Sequence, residues 1–221
     1  MFDGVEIKTG AKPTHSVIWL HGLGADGHDF EPIVPQLVRR DWPGIRFVFP
    51  HAPVRAVTIN NGMRMRAWYD IRGTSIADRE DSDGVRDSVA SVEALIAREI
   101  ESGIATERIF LAGFSQGGAI ALAATVRSNA PLAGTIALSC YLPLAGVSES
   151  EIGAGARKIP IFMAHGSHDQ VVPQALGERS REWLREAGFK VDWHTYPMQH
   201  SLSGDEIHDL ATWLAPRLSV A

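Results

Sequence analysis

The stretch Ile109-Phe110-Leu111-Ala112-Gly113-Phe114-Ser115-Gln116-Gly117-Gly118-Ala119-Ile120-Ala121-Leu122 constrains this chain more than any other. An apolar run suited to a buried strand enters a Gly-x-Ser-x-Gly turn, and a helix-forming run follows at once. So sharp a strand-to-helix turn needs strained backbone geometry, and Gly113 and Gly117 remove the side chains that would collide there. Ser115 is then exposed above the edge of a sheet, beside the free N–H groups and positive end of the helix. The five letters alone fit a glycine-rich packing turn equally well; the strand before and the helix after favour an exposed nucleophile.

The rest of the chain repeats the alternation. Short apolar runs occur at Val17-Ile18-Trp19-Leu20, Phe47-Val48-Phe49, Thr135-Ile136-Ala137-Leu138, Ile161-Phe162-Met163-Ala164 and Val191-Asp192-Trp193-His194, and most are apolar on both faces. Between them lie helical stripes, Val85, Val89, Val92, Ile96 and Ile207, Leu210, Leu214, Leu218. Ser203-Gly204-Asp205-Glu206 has the form of a capping box before the last helix, and Pro173 with Gly188 brackets another. Strands alternating with helices predict an α/β fold, a mostly parallel central sheet with helices on both faces.

One segment breaks the rhythm. Val57-Thr58-Ile59, Asn60-Asn61-Gly62 and residues 63–68 read as a small hairpin inserted around residues 53–76, where it could wall a site. The acidic cluster Asp78, Glu80, Asp81 and Asp83 precedes the Val85 helix, where negative charge meets the N-terminal dipole, so it is read as helix-end chemistry in preference to a cation site.

Composition sets limits on partners and compartment. At 221 residues the chain suits one domain, 1–221, better than two, and no linker or repeat divides it. With 45% hydrophobic and 21% charged residues it is ordinary globular stock. A net charge of −5 gives no general grip on nucleic acid or anionic lipid. Cys140 is the one cysteine, so no internal disulfide demands an oxidising compartment. The N-terminus carries acids where a signal peptide carries basic residues, and the expected compartment is the cytoplasm. Residues 109–126 and 128–148 are poor in charge, but glycine, proline and polar residues interrupt both, so no integral membrane span is expected.

A serine is a weak nucleophile at neutral pH until a base accepts its proton, and that base needs a group to orient it. Nine histidines compete. Asp169 follows the strand 161–164, and His200 follows the strand that begins at Val191; both lie at strand C-terminal ends, where open α/β sheets build their sites. His194 falls inside a strand pattern and His208 inside the last helix, while His165 precedes a turn and is read as shaping the Asp169 loop. His165, His168 and Asp169 match no common zinc spacing, so no metal and no cofactor are expected. The turn Leu20-His21-Gly22-Leu23-Gly24 leaves an early strand, and the Leu23 and Gln116 N–H groups are the expected oxyanion donors, with His21 supporting the turn. No phosphate-binding motif is present.

With these residues in hand, the chain resembles the carboxylesterase and acyl-protein thioesterase family of α/β-hydrolases over residues 16–218. The likeness rests on Trp19-Leu20-His21-Gly22-Leu23-Gly24, Pro50-His51-Ala52-Pro53, Trp68-Tyr69-Asp70, Gly113-Phe114-Ser115-Gln116-Gly117-Gly118, His165-Gly166-Ser167-His168-Asp169 and Tyr196-Pro197-Met198-Gln199-His200. It implies Ser115 as nucleophile, His200 as base, Asp169 as its orienter, and the Leu23 and Gln116 amides as oxyanion hole. It implies ester or thioester substrates, lysophospholipids and S-acylated proteins among them, and a possible homodimer. Gln199 departs from the glycine usual before the base. The expected activity is hydrolysis of short to medium acyl esters through an acyl-enzyme, with acyl-protein thioesterase or lysophospholipase, and a non-catalytic binding or scaffold protein, as the alternatives. Leu23, Trp68, Tyr69 and Ile71 are candidates to contact substrate; the last three serve equally well as core packing. No large lid is expected, since the core consumes nearly all of the chain. Turnover should fall on the acid side, because the base must be neutral.

Overall fold

The computed structural model describes residues 2–73 and 81–219. Along them run β1 (Gly4–Lys8), β2 (His15–Leu20), β3 (Ile45–Pro50), β4 (Val54–Val57), β5 (Met63–Arg66), β6 (Ile109–Phe114), β7 (Gly134–Leu138), β8 (Ile161–Gly166) and β9 (Val191–Tyr196). Seven of them form one sheet in the order β1-β3-β2-β6-β7-β8-β9, and β4 pairs with β5 alone. Every neighbouring pair in the large sheet is parallel except β1 with β3. Val5 and Ile7 of β1 pack on the core while Glu6 and Lys8 face solvent, the alternation of an antiparallel edge strand. No continuous apolar run marks this strand in the sequence.

The helices are α1 (Val34–Leu37), α2 (Ser82–Glu101), α3 (Gln116–Arg127), α4 (Ala145–Ser148), α5 (Gln174–Glu186) and α6 (Gly204–Leu218). Because successive strand residues point to opposite faces, each inner strand feeds two cores. Ile18, Leu20, Ile109 and Leu111 pack against Val85, Val89 and Val92 of α2 and Ile120 of α3. Val17, Trp19, Phe110 and Phe162 pack on the other face against Leu37 of α1 and Leu210, Trp213, Leu214 and Leu218 of α6. Each such side chain contributes roughly 1.5–3 kcal/mol on burial, well above what helix propensity supplies. Leu184 of α5 joins Leu122 and Val126 of α3 over Ile161 and Met163. Helices therefore cover both faces, as the apolar runs predict, and the described residues form no separate lid.

The expected caps form. Ser203 Oγ accepts the Glu206 N–H, and the Glu206 carboxylate accepts the Ser203 N–H in return. Asp81 caps α2 by accepting the Gly84 N–H at 3.3 Å, and Asp83 lies in the first turn; Asp78 and Glu80 lie outside the described residues. The inserted hairpin starts earlier than its sequence pattern predicts. Its arms are β4 and β5, with Val54 opposite Arg66 and Val57 opposite Met63. Thr58–Asn60 curls into a 3₁₀ turn because the Asp70 carboxylate accepts both the Thr58 N–H, at 2.7 Å, and the Thr58 hydroxyl, at 2.6 Å. The end of the expected insertion, residues 74–76, lies outside the described residues.

The topology also sets where a site can form. From β2 the chain steps to β3 on one side and later to β6 on the other, so the order reverses between β2 and β6. Crevices of open α/β sheets open at such a switch point, beyond the strand C-termini. The loop carrying Leu23 leaves β2, and Ser115 leaves β6, at that point.

Candidate active site

Ser115 sits between β6 and α3 at φ 54° and ψ −121°, a conformation that L side chains rarely adopt. Such a residue costs about 1–3 kcal/mol and persists only where its surroundings over-determine it. Here the Ser115 N–H donates to the Leu138 carbonyl at 2.9 Å, and its own carbonyl accepts the Ala119 N–H at 3.0 Å. A side chain at Gly113 would begin 2.3 Å from the Gly117 carbonyl carbon, and one at Gly117 would begin 2.2 Å from the Leu20 oxygen. The turn therefore closes only with glycine at both positions, and it presses the start of α3 against the end of β2.

Asp169 and His200 meet. Asp169 is 7% exposed; its Oδ1 accepts the Val171 and Val172 N–H groups, both at 2.9 Å, and its Oδ2 lies 2.7 Å from His200 Nδ1. An ionised carboxylate only accepts, so Nδ1 carries the proton and the neutral ring is left with Nε2 as its acceptor. The His200 ring packs on Phe114, the residue before Ser115, with centroids 4.6 Å apart. His200 is thus seated against the turn that carries the serine.

Two loops are joined to achieve this. The β8–β9 pairing continues beyond the strands, Ser167 N–H donating to Tyr196 at 2.8 Å and His168 N–H to Met198 at 3.0 Å. Gly166 allows the approach, since a side chain there would begin 2.4 Å from the carbonyl oxygens of Met198 and Gln199. Gln199 itself is exposed and lies outside the left-handed region, so nothing in its backbone demands glycine before His200.

The other histidines have separate tasks. His21 is 1% exposed; Nδ1 donates to the Gly22 carbonyl at 2.7 Å and Nε2 accepts the Ala52 N–H at 3.0 Å. Burial pushes its pKa below the ordinary imidazole range, against a weaker pull from the Gly22 bond, so it supports the turn as a neutral ring. His165, also buried, donates from Nε2 to the Val172 carbonyl at 2.8 Å and so braces the Asp169 loop. Burial lowers its pKa as well. His168 is exposed, and no group of three or more His, Cys, Asp or Glu side chains among the described residues is arranged to hold a metal ion. His194 stacks on Phe162 within the sheet, and His208 is exposed on α6.

Leu23, half-buried, lies on the loop after β2 and Gln116 just after the Ser115 turn, on the two sides of the switch point, and neither main-chain N–H has an acceptor among the described residues. The inserted hairpin holds the first of these loops, since the Gly24 N–H donates to the Arg66 carbonyl at 2.9 Å. Trp68 and Tyr69 are buried, 2% and 4% exposed, within the core layer under α2, and Ile71 packs half-buried against it. The Tyr69 hydroxyl lies 2.9 Å from that of Tyr141. Phe114, which the sequence does not single out as a support for His200, is the large aromatic between Gly113 and Ser115. No helix among the described residues is long and apolar enough to cross a membrane.

Residues 3–217 match the family model described as Phospholipase/Carboxylesterase. Acyl-protein thioesterase 1 of Neurospora crassa is 40% identical over 220 residues, covering 94% of this chain and 89% of the relative. The crystal structure of Arabidopsis thaliana SOBER1 has a TM-score of 0.88 at 33% identity, over 93% of this chain and 99% of that one. That of Zea mays acyl-protein thioesterase 2 has a TM-score of 0.85 at 28% identity, over 98% of this chain and 100% of that one. With the family model spanning nearly the whole chain, the α/β-hydrolase architecture in place and thioesterases and carboxylesterases among its relatives, this chain belongs to the phospholipase/carboxylesterase family and is a carboxylic ester hydrolase.

Proposed function

We propose that the chain is a serine carboxylesterase acting through Ser115, His200 and Asp169, with the Leu23 and Gln116 amides as its oxyanion hole. The observation that carries this reading is the Asp169–His200 pair at 2.7 Å, its imidazole packed on Phe114 next to the strained Ser115. His200 Nε2 takes the Ser115 proton as Oγ attacks the ester carbonyl, and the two amides bind the oxyanion. The protonated ring then gives its proton to the departing alcohol or thiol, leaving an acyl-enzyme, and water repeats the sequence. Asp169 holds the tautomer and favours the imidazolium without taking the proton. Short to medium acyl esters are the proposed substrates, because the described residues add no lid to enclose a long chain.

A fluorophosphonate should label the wild type and leave Ser115→Ala unlabelled. Hydrolysis of a short aryl ester should fall at least about 10³-fold in that variant with the fold retained. Turnover surviving the substitution would assign the chemistry to another residue. The thioesterase reading is favoured by the relatives named acyl-protein thioesterase 1. Matched oxygen and thio esters of equal chain length separate the two readings through the ratio of their kcat/KM values.

A further inference from the structure

Gln116 enters the proposed mechanism through its main-chain N–H alone, yet the residue is 3% exposed and its side-chain oxygen and nitrogen are both hydrogen-bonded. Oε1 accepts the Trp68 N–H at 2.8 Å, and Nε2 donates to the Tyr69 carbonyl at 2.8 Å. Because Trp68 N–H can only donate and the Tyr69 carbonyl can only accept, the amide has one orientation. It pairs with the 68–69 backbone much as a neighbouring strand does. Trp68 is held at two more points: its indole N–H donates to the His21 carbonyl at 2.9 Å, and its carbonyl accepts the Ser88 hydroxyl from α2. His21 is fixed in turn at both ring nitrogens, and its chain runs directly into Gly22 and Leu23.

A continuous buried path thus links the two amides proposed for the oxyanion hole, from Gln116 at the start of α3 through Trp68 to His21 and the Leu23 loop. These amides belong to separate elements. They are also supported by the β2–β6 pairing, which ends at Leu20 opposite Gly113, and by the contact of Gly117 with the Leu20 and His21 carbonyls. Donors must lie within about 2.7–3.1 Å of the developing oxyanion, so a lateral shift of a few tenths of an ångström weakens both bonds together. The Gln116 amide, the main-chain and indole groups of Trp68 and both His21 ring nitrogens are hydrogen-bonded and buried along this path, which makes the brace stiff and costly to break.

We infer that the Gln116 side chain and Trp68 form a strut that sets the separation of the Leu23 and Gln116 amides, which makes both of them positioning residues for acyl transfer. The inference rests on the oxyanion hole proposed above. It assigns Trp68 a task other than lining an acyl groove.

Two substitutions leave every main-chain N–H in place. Gln116→Glu keeps the size and the acceptor for Trp68 but loses the donor to Tyr69; Trp68→Phe keeps a ring but loses the indole N–H. The measurements are kcat and KM for a short aryl ester, the affinity for a trifluoromethyl ketone, and the urea midpoint. In each variant kcat should fall roughly 10- to 100-fold with KM nearly unchanged, less than the 10²–10³ for deleting a donor outright. Affinity for the ketone should fall by the same factor as kcat/KM, because its hemiketal oxygen occupies the oxyanion position. The ratio of Gln116→Glu kcat to wild-type kcat should rise as the pH is lowered, since a protonated carboxyl regains a donor for Tyr69. Folded variants that keep both kcat/KM and ketone affinity, or that raise KM at constant kcat, overturn the strut. Fluorophosphonate labelling separates the two levels: an unlabelled wild type removes the parent reading and the strut with it, whereas a labelled wild type beside unaffected variants removes the strut alone.

Discussion

At Ser115 the chain holds an L residue where glycine would rest more easily, and the difference is measurable. Alanine at this position keeps the strain at φ 54° and removes only the hydroxyl, whereas glycine removes both. Relief of about 1–3 kcal/mol of strain, less about 0.4–1 kcal/mol for the added freedom of the unfolded chain, leaves Ser115→Gly more stable than Ser115→Ala by about 1 kcal/mol. Urea midpoints of the two variants at unchanged m-value check this, and equal midpoints would mean that the Ser115 turn stores no strain. Ser115 was legible because the motif describes its own backbone. Asp169 and His200 were legible from their places just after apolar strands. The role of the Gln116 side chain was not, since a polar residue in an apolar run declares itself buried without naming its partner, and Trp68 lies 48 residues upstream.

Among the elements, β8 and β9 with the loops that prolong them decide how far Asp169 stands from His200. Gly166→Ala inserts a methyl group 2.4 Å from the Met198 and Gln199 carbonyl oxygens, so the strand end and the His200 loop must separate. Overpacking of this kind costs about 1–3 kcal/mol of stability. A displacement approaching 1 Å at the imidazole costs roughly 10²-fold in kcat. Turnover per fluorophosphonate-titrated site is the readout, and an unchanged value would show that the loops yield without moving His200. The strands bearing these loops could be read in advance because residues such as 161–164 are apolar on both faces, as strands covered by helices must be. β1 escaped the same test, since Val5 and Ile7 alternate with solvent-facing charges over five residues. α1 has four residues, too few for a helical period to appear. The hairpin boundary shifted because Asp70, beyond the second arm, decides where Thr58 turns.

For the molecule as a whole, one buried carboxyl makes a contribution to stability whose pH dependence runs against that expected of turnover. In the proposed mechanism turnover needs neutral His200 and so rises from the acid side. Glu206, 0% exposed at the start of α6, behaves in the opposite sense. Its Oε2 accepts the Ser203 N–H at 3.4 Å, while Oε1 is buried with no partner among the described residues. Burial pushes its pKa from the ordinary 4.5 up to about 7, against the weaker pull of the Ser203 N–H. The folded state therefore holds this proton more tightly than the unfolded chain does. Its contribution to stability is full below pH 4.5, declines as the pH rises, and is lost above about 7. At about 1.36 kcal/mol per pK unit the loss is at most about 3 kcal/mol. Glu206→Gln keeps an acceptor for Ser203 and cannot ionise, and any cost of its extra N–H groups is the same at every pH. The variant should therefore gain on the wild type between pH 5 and pH 8 by up to about 3 kcal/mol in urea unfolding, with the acid limb of turnover unmoved. A stability difference that stays constant across that interval would place the Glu206 proton elsewhere.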